Sequence, residues 1–445
     1  MREFYKGNIL SHLIYLSWPM LLGNFFQNIQ SIYEIFLLGK IGVDDIAAIG
    51  IAGTVILFFW AITGGILNGV VAITSRFISQ GRTKELQKMI FQMVFISFIS
   101  ALLFCAVVFI FQDFIFGFFG AKGETLKKTK DYYNIIMFSL LNVSIYFVFI
   151  GLLRGLGNSI IILLLTMTGV IIYFFLAPFF IFGKFNLPAM GIKGTALAGL
   201  IGSVFANIFA ISYFYKKGLI SFNKEFFKLE KNTVKKFLKI VLPAMGQGLI
   251  TNISYFILLK IVSLFGNYFI AAYSIGLRLN GFVMMLGWPI GVSGGVIVGH
   301  SLGKKLHERA KMTVLTGIKT YSFITFTLTL VFLLFPKFVI NLFTSDITVV
   351  NYGINFLKIV APVYVIMGIA LIIHSSFNGA GATQIPTNIN LISFFIIQLP
   401  LAYFLSKIDG IKENGVFYAI SFSFIIQALI SWFAFKNGKW LAKEI

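Results

Sequence analysis

Twelve runs of mostly apolar residues, each long enough to cross a bilayer, constrain this chain more than any other feature. A helix needs about 20 such residues to span the hydrocarbon core. Runs of that length fall near 13–38, 46–73, 90–111, 133–153, 159–182 and 190–215. A second set falls near 237–263, 268–297, 313–335, 354–376, 387–406 and 415–435. A strand barrel would instead show short alternating segments, so the runs predict an all-α integral membrane protein with twelve transmembrane helices. Composition agrees, since 58% of the 445 residues are hydrophobic and 11% are charged, against roughly 25% charged in a soluble domain. The first run continues past Pro19 into Asn24, Gln27 and Asn28 with no small-residue cleavage site after it. It reads as a retained span and not as a signal peptide.

The chain resembles itself at an offset of 224 residues. Pro19 matches Pro243, Gly42 matches Gly266, Ala47-Ala48 matches Ala271-Ala272, and Gly155 and Gly157 match Gly379 and Gly381. Between these the offset slips to 222, where Gly69 pairs with Gly291 and Ser79 with Ser301. The repeated unit holds six spans, so both copies enter the membrane from the same side. The expectation is an N-terminal six-helix lobe over 1–215, a basic connector over 216–236 and a C-terminal six-helix lobe over 237–445. Two such bundles would be related by a pseudo-two-fold axis along the membrane normal, and parallel repeats of this kind rock around a site at their interface.

A net charge of +21 raises the question of nucleic acid, but the basic residues lie in short segments between apolar runs. Of 36 Lys and Arg, 22 fall on the side holding both termini and 11 on the other. That bias places both termini and the Lys216–Lys239 segment in the cytoplasm, against anionic headgroups. The lone cysteine, Cys105, lies inside an apolar run and can form neither an intramolecular disulfide nor a thiolate cluster.

Polar residues deep in spans are expensive there and by default mark a substrate or ion path. Asn24, Gln27, Asn28, Ser31 and Glu34 recur at helical spacing on one face of the first span. Glu34 is the only acid expected within a span, roughly 31 Å along the helix from its start. Held away from water, such a carboxyl can take up a proton, or it can stay ionised and bind Na⁺ with oxygens from Gln27, Asn28 or Ser31. Asn68, Asn142, Tyr146, Tyr173 and Asn207 are further candidates to line a cavity. In the second half the candidates are Gln247, Thr251, Asn252 and Tyr255. Each has an alternative as a helix-packing hydrogen bond. Lys260 and Arg278 either snorkel or pair across helices, and His374 reads as a packed residue. RGLGN (Arg154–Asn158) and NGAGA (Asn378–Ala382) neither follow a strand nor open a βαβ unit, which excludes a dinucleotide site. No Walker A, HExxH, Asp-rich or GxSxG motif is present, so ATPase, zincin and hydrolase readings fall away.

Three stretches together resemble the multidrug and toxic compound extrusion (MATE) family. Pro19–Gly50 has its Pro, an amide-rich helix, an acid, G-x-x-G and A-A-x-G; Leu242–Leu279 is similar to the equivalent second-half element; Gly299–Lys311, G-H-S-L-G-K-K-x-x-x-R-A-K, resembles its cytoplasmic loop. RGLGN and NGAGA resemble its R-G-x-G-D/N signature. The resemblance covers nearly the whole chain. It implies a V-shaped pair of lobes in the cell (inner) membrane, with Glu34 coupling and Pro19 as the place of a bend. The implied activity is export of amphipathic, often cationic small molecules in exchange for H⁺ or Na⁺, by a monomer in the lipid bilayer with no cofactor and no nucleic acid. The family's first-span acid is usually Asp, and here it is Glu34. Where many members carry N-x-x-L-D-P in the fifth span, Y-F-F-L-A-P (Tyr173–Pro178) stands, and Thr251 occupies a position where another branch has Glu. Two other classes are a flippase for lipid-linked oligosaccharides, which calls for a strongly cationic cavity, and a membrane-embedded enzyme, which calls for clustered carboxylates or histidines.

Overall fold

A backbone with no water to bond must close its own hydrogen bonds, which apolar segments of this length do as helices. A computed structural model describes residues 3–183, 188–220 and 229–443. Among these residues twelve helices are long and apolar enough to cross a membrane. The first six are α1 (Ile9–Leu38), α2 (Asp44–Gln80), α3 (Thr83–Ile110), α4 (Gly123–Gly155), α5 (Ser159–Phe182) and α6 (Ile192–Lys216). The second six are α7 (Lys231–Phe265), α8 (Asn267–Gly303), α9 (His307–Leu334), α10 (Ile347–Gly379), α11 (Gln384–Leu405) and α12 (Asn414–Asn437). Of the expected connector, residues 221–228 lie outside the described residues.

Helix α5 has the bounds read from the sequence, but α2 continues seven residues past the expected 73. Arg76 and the polar residues beside it end the apolar window without breaking the helix. It stops where Gly81 takes a left-handed conformation, φ 78°, with its N–H bonded to the last turn. RGLGN and NGAGA are helix stops of the same kind. Gly157 and Gly381 have φ 72° and 76°, and Asn158 N and Ala382 N reach back to the carbonyls of Leu153 and Phe377 at 2.9 and 2.8 Å. The other glycine of each motif serves contact. A methyl group on Gly155 would lie 2.5 Å from Thr74 Cβ, and one on Gly379 would lie 2.1 Å from the Gly295 carbonyl oxygen. Small residues at such points let helices approach closely where no hydrophobic force drives them together.

The internal repeat is visible in the packing. Helix α2 packs on α4 as α8 packs on α10, α4 on α6 as α10 on α12, and α5 on α6 as α11 on α12. Contacts divide the chain into two compact units, Trp18–Val241 (the N-terminal unit) and Met1–Ser17 with Leu242–Ile445 (the C-terminal unit). Helix α1 therefore begins in the C-terminal unit and continues in the N-terminal one, and α7 does the converse. The repeat-matched Pro19 and Pro243 stand just past the two crossings, each inside a continuous helix.

Cys105 is buried, its Sγ 3.8 Å from the Met137 carbonyl. Lys260 and Arg278 are exposed on their helices, and neither joins an ion pair among the described residues.

Candidate functional site

Four helices of the N-terminal unit meet around Glu34. Helix α1 is fixed along α5 by Tyr33, whose ring stacks on Phe174 at 4.4 Å, and by Leu37, which is buried in one cluster with Tyr173, Ala177 and Ile181. This packing turns the half-buried Glu34 toward the hydroxyls of Tyr173 on α5 and Thr195 on α6. Tyr132 on α4 lies within electrostatic reach of the same carboxylate. The Tyr173 hydroxyl is buried and makes no hydrogen bond of normal length and angle. The Glu34 carboxylate beside it is the group it is placed to meet. Thr195 donates its only hydroxyl proton to the Ile192 carbonyl at 2.9 Å, so toward Glu34 it presents lone pairs. Tyr173 can thus donate to Glu34, and Thr195 can accept from it.

Two other acids near this end of the helices, Asp45 and Asp131, are ion-paired. Asp45 is held by Lys128 at 2.8 Å and Asp131 by Lys193 at 3.2 Å. Glu34 has no cationic partner among the described residues. Ala177, one turn beyond Tyr173, is fully buried among apolar side chains and adds no oxygen. No group of three or more His, Cys, Asp or Glu suited to a metal is present among the described residues.

The other expected residues divide by what they contact. Ser31 and Gln27 are exposed on α1, one and two turns before Glu34. Ser31 Oγ donates to the Gln27 carbonyl at 3.2 Å, and the exposed Asn28 amide donates to the Asn24 carbonyl at 2.8 Å. Asn142 and Asn207 pin α4 to α6. Asn207 Nδ2 donates to Asn142 Oδ1 at 2.9 Å and to its carbonyl at 2.8 Å, and Asn142 Nδ2 donates to Ser203 Oγ at 2.8 Å. Asn142 is ten residues past Tyr132 on α4, roughly 15 Å along the axis, so this pair is separate from Glu34. Tyr146 ties α4 to α5 through Thr166 at 3.3 Å, and Asn68 is half-buried on α2.

The C-terminal unit holds a network of amides, hydroxyls and one imidazole. His374 on α10 bonds to Ser431 on α12 at 2.8 Å. Ser431 commits its own proton to the Gln427 carbonyl at 2.6 Å, so His374 Nε2 is the donor. Gln427 Nε2 donates to Asn390 Oδ1 at 2.9 Å, and Asn390 Nδ2 reaches Thr251 Oγ1 at 3.4 Å. Thr251 in turn bonds the Gln247 carbonyl at 2.9 Å, while Asn378 donates to Gln247 Oε1 at 3.1 Å. Just past Asn390, α11 widens into a π-helical turn at Leu391–Gln398, a feature frequent at functional sites. Gln398 at its end accepts from Ser254 at 3.3 Å. Asn252 and Tyr255 are half-buried on α7, with Tyr255 in electrostatic reach of the buried Tyr273 and Tyr364. At the position matching Glu34 by the 224-residue offset stands Leu258, fully buried.

Sequence reasoning missed Tyr132 and Thr195, which look like ordinary residues near helix ends. It also missed Asn390, Gln398 and Gln427, although amides inside apolar runs were the signal to find them.

Known proteins agree with this architecture. The MatE family model matches residues 19–179 and again residues 243–404, once in each half. The chain is 22% identical over 432 residues to the probable multidrug resistance protein YoeA of Bacillus subtilis, covering 96% of this chain and 93% of that one. It is 26% identical over 439 residues to the multidrug export protein MepA of Staphylococcus haemolyticus, covering 97% and 94%. Among solved structures it is similar to the Vibrio cholerae MATE transporter VcmN in its bent form, with a TM-score of 0.89, 22% identity and 97% of each chain covered.

Proposed function

The chain belongs to the MATE family of multidrug efflux transporters, and from that premise we propose that it is a secondary active antiporter, exporting amphipathic, often cationic compounds in exchange for H⁺. The observation that carries this reading is Glu34, an acid without a counter-ion between a hydroxyl able to donate and a hydroxyl able to accept. Ionised, Glu34 accepts from Tyr173. Protonated, it donates to Thr195 and still accepts from Tyr173. Both charge states are then satisfied, as a group that gains and loses a proton in every cycle requires. Na⁺ would find one carboxylate and few further oxygens, because Ala177 supplies none. The donor set therefore favours H⁺.

Export by this reading is alternating access, with the lobes expected at 1–215 and 237–445 moving against each other. The packing repeated between the two halves supports it. Both termini lie in the cytoplasm and the protein resides in the cell (inner) membrane, as the 22-to-11 basic bias favours.

The test is dye transport by purified protein in liposomes, with pH and Na⁺ gradients imposed separately. A pH gradient alone should drive the flux, and Glu34→Gln should abolish the driven part. Flux that follows only the Na⁺ gradient would reassign the ion. No dye flux under either gradient would point to another cargo, such as a lipid-linked oligosaccharide.

A further inference from the structure

The run Gly299–Lys311 has no part in the Glu34 site, yet it receives the chain's own N-terminus. Arg309, in the first turn of α9, donates to the carbonyl of Phe4 at 3.0 and 3.2 Å, to that of Lys6 at 2.9 Å and to that of Gly7 at 3.0 Å. One planar guanidinium thereby cages three backbone carbonyls, a geometry that an ammonium cannot reproduce. His12 Nε2 also bonds the Lys6 carbonyl, at 2.6 Å. Phe4 is fully buried, with His12 and His300 against its ring at 5.2 and 5.4 Å, and Lys304 lies over Tyr5 at 5.2 Å. Further along, Ser17 commits its hydroxyl proton to the Leu13 carbonyl at 2.6 Å and can accept from the Ser293 hydroxyl of α8 at 3.0 Å. All these partners belong to the C-terminal unit. From Trp18 onward α1 belongs to the N-terminal unit and carries Glu34. Pro19, next to the crossing, has no N–H to close the helix bond to the fourth residue before it, so α1 is softest there.

We propose that Arg309 is a positioning residue for export: its cage holds the start of α1, so that a change of charge at Glu34 acts on a helix with one fixed end and a hinge at Pro19. With the end loose, α1 could slide and the change at Glu34 would be dissipated. This rests on Glu34 being the coupling group.

The experiment measures initial rates of pH-driven dye export in proteoliposomes. Arg309→Ala should lower the maximal rate roughly tenfold, the factor carried by one charge-assisted hydrogen bond, at unchanged KM. Arg309→Lys keeps the charge without the fork and should stay well below the native rate. Deletion of residues 2–7 should match Arg309→Ala, and combining the two should add nothing. A Lys6→Cys, Arg309→Cys pair joined by a flexible bifunctional thiol reagent should recover the rate lost before joining, with Cys105 buried and out of reach. A native rate in Arg309→Ala overturns the proposal. So does a joined pair that exports nothing, because the clasp would then have to open in each cycle. If native protein shows no pH-driven export, or Glu34→Gln shows it undiminished, the coupling reading has failed and not the anchor.

Discussion

Replacing Glu34 by Gln keeps the shape of the side chain and removes its ability to change charge. The magnitude follows from the number of acids. Asp45 and Asp131 are ion-paired, and the C-terminal unit has Leu258 at the position matching Glu34, so with Glu34 as the proposed carrier one proton is expected to move per cycle. For a dye bearing one fixed positive charge the exchange is electroneutral. One pH unit supplies ~1.4 kcal/mol per proton, which at balance holds roughly a tenfold dye ratio across the membrane. Two protons would hold about a hundredfold ratio. The assay is the static-head distribution of such a dye in proteoliposomes, with the potential clamped to zero by potassium and valinomycin. A permanently charged dye excludes the trapping that weak bases undergo in an acidic lumen. Native protein should reach the tenfold ratio, and Glu34→Gln should level the dye. Glu34→Asp should reach the native ratio more slowly, its carboxylate withdrawn by about one bond length, ~1.5 Å, from Tyr173 and Thr195. A hundredfold native ratio, or a native ratio in Glu34→Gln, would refute the single-carrier argument.

Gly155→Ala should destabilise the protein by about 1–3 kcal/mol, because the new methyl meets Thr74 Cβ at 2.5 Å. Gly199→Ala, with nothing within 4 Å of its added methyl, should be neutral or slightly stabilising, and thermal unfolding in detergent compares the two. Asn390→Leu breaks the chain from Gln427 to Thr251 and should cost about 1–3 kcal/mol for the donors and acceptors left unpaired. The dye ratio per pH unit should stay native, and a changed ratio would bring this network into coupling. A cysteine at Ser221 should resist an impermeant thiol reagent applied outside intact cells, and its labelling would reverse the topology.

The spans and the repeat were legible because both rest on local signals. Apolar length sets the helices, and glycines and prolines recur in the same order in both halves. The end of α2 was not legible, since hydropathy falls at Arg76 while the backbone stays helical to Gln80. Glu34 stood out as a lone acid in an apolar run. Its neighbours did not, because Tyr132, Tyr173 and Thr195 come from three helices and only packing brings them together. The stripe from Gln27 to Glu34 was legible as one face of a helix. That Gln27 and Ser31 are exposed while Glu34 turns toward α5 and α6 depends on Tyr33 and Leu37, which carry no polar signal. Nothing in the local pattern, apart from Pro19, shows that α1 begins in one unit and continues in the other.

The unequal chemistry of the two halves bears on which mutations such a chain can accumulate under drug selection. The network from His374 to Gln247 is built of amides, hydroxyls and one imidazole, so amide-for-hydroxyl exchanges there reshape the C-terminal unit without touching the number of charges moved. At Glu34 no such neutral drift exists. Asp is its only replacement with the same charge, and on the proposed coupling role every other residue would alter the energy conversion in a single step. On the proposed reading, new drug preferences should therefore arise first in the half that has Leu258 at the position matching Glu34.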